Sequence, residues 1–355
     1  MRIASIVGAR PNFIKMAAIF EAISRRGLEH LIIHTGQHYD YEMSTIFFKE
    51  MAIPEPNYNL EVGSDRQGSQ LGEVIKRCEE TLLDERPDIV LVYGDVNSTL
   101  GGALAARKNL FKLGHVEAGL RSFERDMQEE MNRVLTDHLS DYLFCPTKTA
   151  MANLERENLT ARSYLTGDVM VSVLRRFMSS GKDDVLSRLG INKRAYVLFT
   201  LHRAENVDSP KRLKMIVEAV AKISEDSSVV FPAHPRTTRS LDMFGLTKCL
   251  APNTKVIKPL GYSDFLALER NAKVILTDSG GVQKEAYLLG VPCVTLRERT
   301  EWTETVDDGW NKLVACNQKE ITSAVRDFKP TSPQSNRFGL GDAPDKIIDI
   351  LIERR

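Results

Sequence analysis

Several short stretches carry residues that can do chemistry, and each stands where an apolar run stops. In Thr277-Asp278-Ser279-Gly280-Gly281-Val282-Gln283-Lys284-Glu285 the run ends in a glycine turn that opens a helical pattern. The first amides of a helix have no internal partners and carry a partial positive charge, so they suit a phosphate. Two glycines let an anion come close to the main chain. Glu285 follows about one turn into the helix, where its carboxylate can accept hydrogen bonds from a ribose hydroxyl. The same residues also fit a plain turn with Ser279 as helix N-cap, and both readings stand at this point.

Gly8-Ala9-Arg10-Pro11-Asn12 ends another apolar run and opens a helix that carries Lys15. Pro11 suits a first helical turn, and Arg10 and Lys15 add positive charge there. An equal reading is a surface Arg and Lys flanking a cap. The stretch is neither a GxGxxG nor a Walker motif. Asp95 closes the run 89–93, and Glu117 closes the next one. Either carboxylate alone fits a helix cap. On neighbouring strands about 5 Å apart, the two together point to a pair that shares acid and base work. Glu129 and Arg133 fall on one face of the following helix, a solvated ion pair unless the loop 121–126 turns that face inward.

In the second half, His202 and Arg203 arrive at the end of the run 197–200, and His234 with Arg236 at the end of 229–232. Imidazole suits proton transfer or contact with a phosphate, while a lone histidine at a strand end is more often structural. The histidines form no HxxxH or HExxH spacing on a helical pattern, since His30, His34 and His38 fall on or just after an apolar strand run, which argues against a metal site. Gln37 and His38 after the run 31–34, and Arg66 in a later polar loop, read first as solvated surface.

These residues need parallel strands to bring them to one edge. Apolar runs at 3–7, 31–34, 89–93, 116, 142–145 and 164–165 alternate with amphipathic stretches, and a second series follows at 197–200, 229–232, 255–258, 274–276, 293–296 and 313–315. Continuous β-branched runs between helical patterns describe parallel sheets covered on both faces, whose ligands lie outside the carboxyl ends of the strands. The expectation is α/β with two doubly wound domains. The first spans 1–168 and is rejoined by a final helix at 342–355; the second spans 169–341.

The chain has 355 residues, and 48 basic residues balance 48 acidic ones. Two ordinary cores fit that length, and the missing positive excess argues against nucleic acid or an anionic membrane as partner. The first apolar run meets Gly8 and Pro11 too soon for a signal peptide, and no run is long enough to cross a bilayer, so a soluble cytoplasmic protein is expected. Five cysteines without close spacing suggest buried thiols rather than a disulfide framework.

Taken in order, Gly8-Ala9-Arg10-Pro11 with Lys15, Gly36-Gln37-His38, Gly94-Asp95, His115-Val116-Glu117-Ala118-Gly119-Leu120-Arg121, Glu129-Glu130-Met131-Asn132-Arg133, His202-Arg203-Ala204-Glu205-Asn206 and the 277–285 stretch form a longer pattern. The chain resembles the non-hydrolysing UDP-N-acetylglucosamine 2-epimerases from about residue 2 to its last helix. The resemblance implies a GT-B architecture, two Rossmann-like domains with a nucleotide sugar in the cleft between them, in a cytoplasmic homodimer without NAD or metal. By position, Ser279 and Gly280 would bind the diphosphate, Glu285 the ribose and Phe265 the uracil, with Arg10, Lys15 and His202 at the phosphates. Asp95, Glu117 and Glu129, with His202, match the catalytic set. Gln37, His38, Arg66, Arg203 and His234 match a second, activating nucleotide-sugar site of some bacterial members.

Asp40, Ala204, Lys284, Thr303, Arg337 and Leu340 depart from the usual pattern. The implied reaction is reversible epimerisation at C2 by loss and re-addition of UDP. The alternatives are a 2-epimerase of UDP-2,3-diacetamido-2,3-dideoxyglucuronate, a hydrolysing epimerase, a GT-B glycosyltransferase, and a catalytically silent nucleotide-sugar sensor. Carboxylates at 95, 117 and 129 argue against the last, since a pure binder avoids negative charge near a diphosphate.

Overall fold

The computed structural model describes residues 1–36, 48, 50–51, 53–179 and 184–354. The chain divides into two compact units, Met1–Ser179 with Asn336–Arg355, and Ser180–Ser335.

In the first unit, β1 (Arg2–Val7), β2 (Glu29–His34), β3 (Tyr58–Asn59), β4 (Ile89–Tyr93), β5 (Lys112–Val116), β6 (Tyr142–Cys145) and β7 (Ser163–Leu165) form a parallel sheet in the order β3-β2-β1-β4-β5-β6-β7. β4 and β6 are buried along their whole length, which is why their sequences run apolar without alternation. The chain direction of the strand order reverses between β1 and β4, the place where open α/β sheets bind ligands. Helix Arg10–Arg25 starts there with Pro11 in its first turn and buries Phe13, Met16, Ile19 and Ile23. Helix Val169–Ser179 packs on that helix and on the last one, Ala343–Glu353. Arg25 and Arg26 reach Asp345, Arg26 also reaches Asp349, and the Asp168 amide donates to the Phe338 carbonyl at 2.8 Å. These contacts place the end of the chain in the first unit.

The second unit repeats the plan with β8 (Tyr196–Thr200), β9 (Ser228–Pro232), β10 (Thr254–Ile257), β11 (Val274–Thr277), β12 (Cys293–Thr295) and β13 (Asn311–Leu313), in the order β10-β9-β8-β11-β12-β13. Phe199 and Phe231 pack at 4.5 Å between ring centroids within a core that includes Ile216, Val217, Leu276 and Ile321. The switch point lies between β8 and β11, so the residues after Thr200 and Thr277 share one edge. The last strand occupies Asn311–Leu313 rather than the apolar run 313–315, because Asn311 pairs with Cys293 and Leu313 with Thr295.

Both units are therefore Rossmann-like doubly wound domains, the α/β composition of a GT-B protein. No helix of the described residues is long and apolar enough to cross a membrane.

Candidate functional site

At the switch point of the first unit, Asn12 joins the ends of β1 and β4. Its Oδ1 accepts from the amides of Gly8 at 3.3 Å and Ala9 at 3.2 Å, and its Nδ2 donates to the Tyr93 carbonyl at 2.7 Å. One turn further along helix Arg10–Arg25, the ammonium of Lys15 meets Oε1 of Glu117 at 2.5 Å, with the two side chains only 10% and 5% exposed. Glu117 follows β5 with φ +74°, in the left-handed region that side chains seldom adopt. Gly94, at φ +63°, lines the same spot in the left-handed region that favours glycine, and a Cβ there would come within 2.9 Å of the Lys15 nitrogen.

Asp95 does not cap the next helix. Helix Asn97–Lys108 has Val96 at its N-cap without a side-chain bond, and the Asp95 carboxylate turns instead to Arg133 Nη2 at 2.6 Å. Asn132 Nδ2 donates to the Asp95 carbonyl at 2.9 Å. Arg133 also meets Glu130 at 3.1 Å, and Glu130 accepts from the Ser122 and Phe123 amides, which fixes the loop before helix Gln128–Leu139. Arg133 is thus turned inward, away from the solvated pairing with Glu129 that helix spacing alone suggests, and Glu129 lies exposed in the first turn. The carboxylates of Asp95 and Glu117 stand at adjoining strand ends, each against its own cation.

In the second unit Asp278 organises the edge. Its carboxylate accepts from the His202 amide at 3.1 Å, the Arg203 amide at 2.9 Å and Asn206 Nδ2 at 3.1 Å, and lies 3.2 Å from His202 Nδ1. Burial pushes the Asp278 carboxyl up, but the bonds from His202, Arg203 and Asn206 outweigh it and hold the group below its ordinary 3.8. The Asp278 carbonyl accepts from Arg203 Nε at 2.9 Å. His202 keeps an exposed ring 6.3 Å from that of His234.

Ser279 is the N-cap of helix Gly280–Leu288, its Oγ accepting from the Val282 amide at 3.4 Å. Gly280 faces Glu301: a Cβ on it would lie 2.2 Å from Glu301 Oε1, and Arg297 holds the other oxygen at 2.8 Å. Glu285 is buried and accepts from the Tyr262 hydroxyl at 2.9 Å. Phe265 is one turn beyond Tyr262 on helix Tyr262–Asn271 and is partly exposed.

Arg10 is the first residue of its helix, and Arg66 precedes helix Gln67–Glu85 as an exposed side chain. Gln37, His38 and Asp40 lie outside the described residues. Among the described residues no group of three or more His, Cys, Asp or Glu is placed to hold a metal ion.

A family model described as UDP-N-acetylglucosamine 2-epimerase matches residues 21–352. The chain belongs to the UDP-N-acetylglucosamine 2-epimerase family. It is 52% identical to a UDP-N-acetylglucosamine 2-epimerase homolog of Methanococcus maripaludis over 99% of both chains. It is similar at a TM-score of 0.94 and 44% identity to the crystal structure of Methanocaldococcus jannaschii UDP-GlcNAc 2-epimerase in complex with UDP-GlcNAc and UDP, covering 99% of this chain and 100% of that one. The UDP-2,3-diacetamido-2,3-dideoxy-D-glucuronate 2-epimerase of Pseudomonas aeruginosa is 43% identical, again over 99% of both chains.

Within this epimerase family, one departure has a clear structural setting. Lys284 is buried with its ammonium 4.1 Å from the centroid of the Trp302 ring, a cation–π contact beside the Glu301 and Arg297 pair. Glu130, Asn132 and Asp278 are site-building residues to which the sequence reading gave no role, while Arg133, read with Glu129 on one helix face, is turned inward to Asp95. Asp278 had a usable signal, since it directly follows the strand at the switch point and precedes Ser279.

Proposed function

We propose that the chain interconverts UDP-N-acetylglucosamine and UDP-N-acetylmannosamine. The C2 hydrogen of an N-acetylhexosamine is not next to a carbonyl, so its removal alone leaves an unstabilised carbanion. Loss of UDP from C1 solves this: a carboxylate takes the C2 proton, that electron pair forms the C1–C2 double bond, and the C1–O pair leaves with the diphosphate. Re-addition of UDP, with a proton delivered to the opposite face of C2, gives the epimer. Such chemistry needs acid and base groups at C2 and donors on the leaving diphosphate.

In this reading Asp95, Glu117 and Glu129 handle the protons. Arg10, Lys15, His202, Ser279 and Gly280 stabilise UDP, Glu285 takes the ribose, and Phe265 lies by the uracil. The observation that carries it is the 44% identity, across 99% of the chain, to an epimerase captured with UDP-GlcNAc and UDP. Proton NMR of the purified protein with UDP-N-acetylglucosamine tests it; the anomeric signal of the manno epimer is expected, and UDP release only on adding an acceptor would favour a glycosyltransferase.

A second reading, epimerisation of UDP-2,3-diacetamido-2,3-dideoxyglucuronate, is favoured by the 43% identical relative named for that substrate. The same assay with that sugar separates the two. The family resemblance supports a cytoplasmic homodimer feeding a surface glycan. It also supports a second nucleotide-sugar site at Gln37, His38, Arg66, Arg203 and His234, although Asp40 in place of the usual glutamine weighs against regulation by substrate.

A further inference from the structure

Glu117 holds a backbone conformation that a residue with a side chain keeps only where its surroundings over-determine it. Those surroundings converge on one buried carboxylate that none of the roles above uses. Asp137, on helix Gln128–Leu139, is fully buried. Its Oδ1 lies 2.6 Å from Nδ1 of His115, two residues before Glu117, and its Oδ2 accepts at 3.1 Å from the amide of Gly119, two residues after. Arg121 Nη1 donates to Oδ2 at 2.7 Å, and Arg121 is held in turn by Glu157. The far side of the His115 ring, Nε2, lies 2.7 Å from the Gly94 carbonyl, one residue before Asp95.

We propose that Asp137 is a positioning residue for the epimerisation: it brackets the strained Glu117 turn through His115 and the Gly119 amide, and through His115 it ties that turn to the Gly94 carbonyl ahead of Asp95. The inference rests on the proposed role of Glu117. Three donors converge on Asp137, and an ionised carboxylate with only acceptor sites satisfies them all. Charge and hydrogen bonds from His115 and Arg121 overcome the upward push of burial and keep the Asp137 carboxyl below its ordinary value. An asparagine of the same shape must aim an NH2 group at one of these donors. If that lets the turn relax, the Glu117 carboxylate leaves the one place where the Lys15 ammonium meets it.

The test compares Asp137→Asn, Glu117→Gln, the double variant and Glu157→Gln in full-length enzyme with UDP-N-acetylglucosamine, reading kcat, KM and the Kd for UDP. Because small misplacements of a reacting group cost about 100-fold, D137N should lose kcat by about that factor while KM and the UDP Kd stay within about 3-fold. In the E117Q background the same change should cost less than about 3-fold more, since the group it positions is already gone. E157Q, which removes only the outer partner of Arg121, should keep kcat within about 3-fold. A D137N enzyme with near wild-type kcat overturns the proposal, and so does an undiminished loss in the E117Q background or an equal loss in E157Q. An E117Q enzyme with wild-type kcat strikes the role of Glu117 itself, which is a separate failure.

If D137N does not fold, His115→Gln takes its place, since it leaves Asp137 the Arg121 and Gly119 donors. Folded H115Q with lowered kcat and unchanged UDP affinity supports the proposal. Folded H115Q with full kcat overturns it, as does failure of both variants to fold, because the network would then serve the fold alone.

Discussion

Lys15 and Glu117, which stand 102 residues apart in the chain, close into a buried ion pair at 2.5 Å beneath Gly94. The pair links the helix after β1 to the end of β5 across the switch point, and it sets the Glu117 carboxylate in place. Asp95 is set by a different cation, Arg133.

Removing one partner of such a pair leaves a charge stranded in the interior. Lys15→Met should therefore lower the free energy of unfolding by about 3 kcal/mol, and adding Glu117→Gln to it should recover much of that loss. Chemical denaturation of the two single variants and the double variant measures both effects. A loss below about 1 kcal/mol in K15M would mean that solvent reaches the Glu117 carboxylate.

The Asp278 carboxyl predicts a pH dependence. Its folded-state affinity for a proton is held below the ordinary 3.8 of the unfolded chain, so it contributes stability at pH values above about 4, and that contribution is lost as pH falls through the folded value. Asp278→Asn removes the contribution. Unfolding midpoints between about pH 6 and 3 should fall more steeply for the wild type than for D278N, with Asp137, shifted in the same direction, acting in both. Parallel curves would show that Asp278 titrates alike in the folded and unfolded chains.

Gly280→Ala puts a methyl group within 2.2 Å of the Glu301 carboxylate, which Arg297 holds from the other side. One of the two must give way at the helix start proposed to seat the diphosphate. Overpacking of this kind costs about 1–3 kcal/mol of stability, so G280A should stay folded with a lowered melting temperature, and its displaced helix start should bind UDP more weakly than the wild type. Calorimetric titration with UDP and thermal melting give the two readouts. Undiminished affinity would place the diphosphate elsewhere.

The sheets were legible in the sequence because strands buried on both faces run apolar without interruption, and helix starts such as Arg10-Pro11 and Ser279-Gly280 carry their capping chemistry openly. Residues that close strands, among them Asp95, Glu117 and His202, could be found by position alone. Partners could not. Helix periodicity puts Arg133 on a face with Glu129 but cannot say which way that face turns, and Arg133 turns to Asp95 and Glu130. His115 and Asp137 meet at 2.6 Å although they are 22 residues apart with no shared motif, and β3, with two residues, is too short to leave a pattern.

Solvent isotope at C2 tests the central claim most directly. When UDP-N-acetylglucosamine is converted in D2O, elimination and re-addition require the C2 proton to pass through the enzyme's carboxylates, so proton NMR of the product should show the H2 signal replaced by deuterium. Formation of the manno epimer with its C2 hydrogen fully retained would contradict the account.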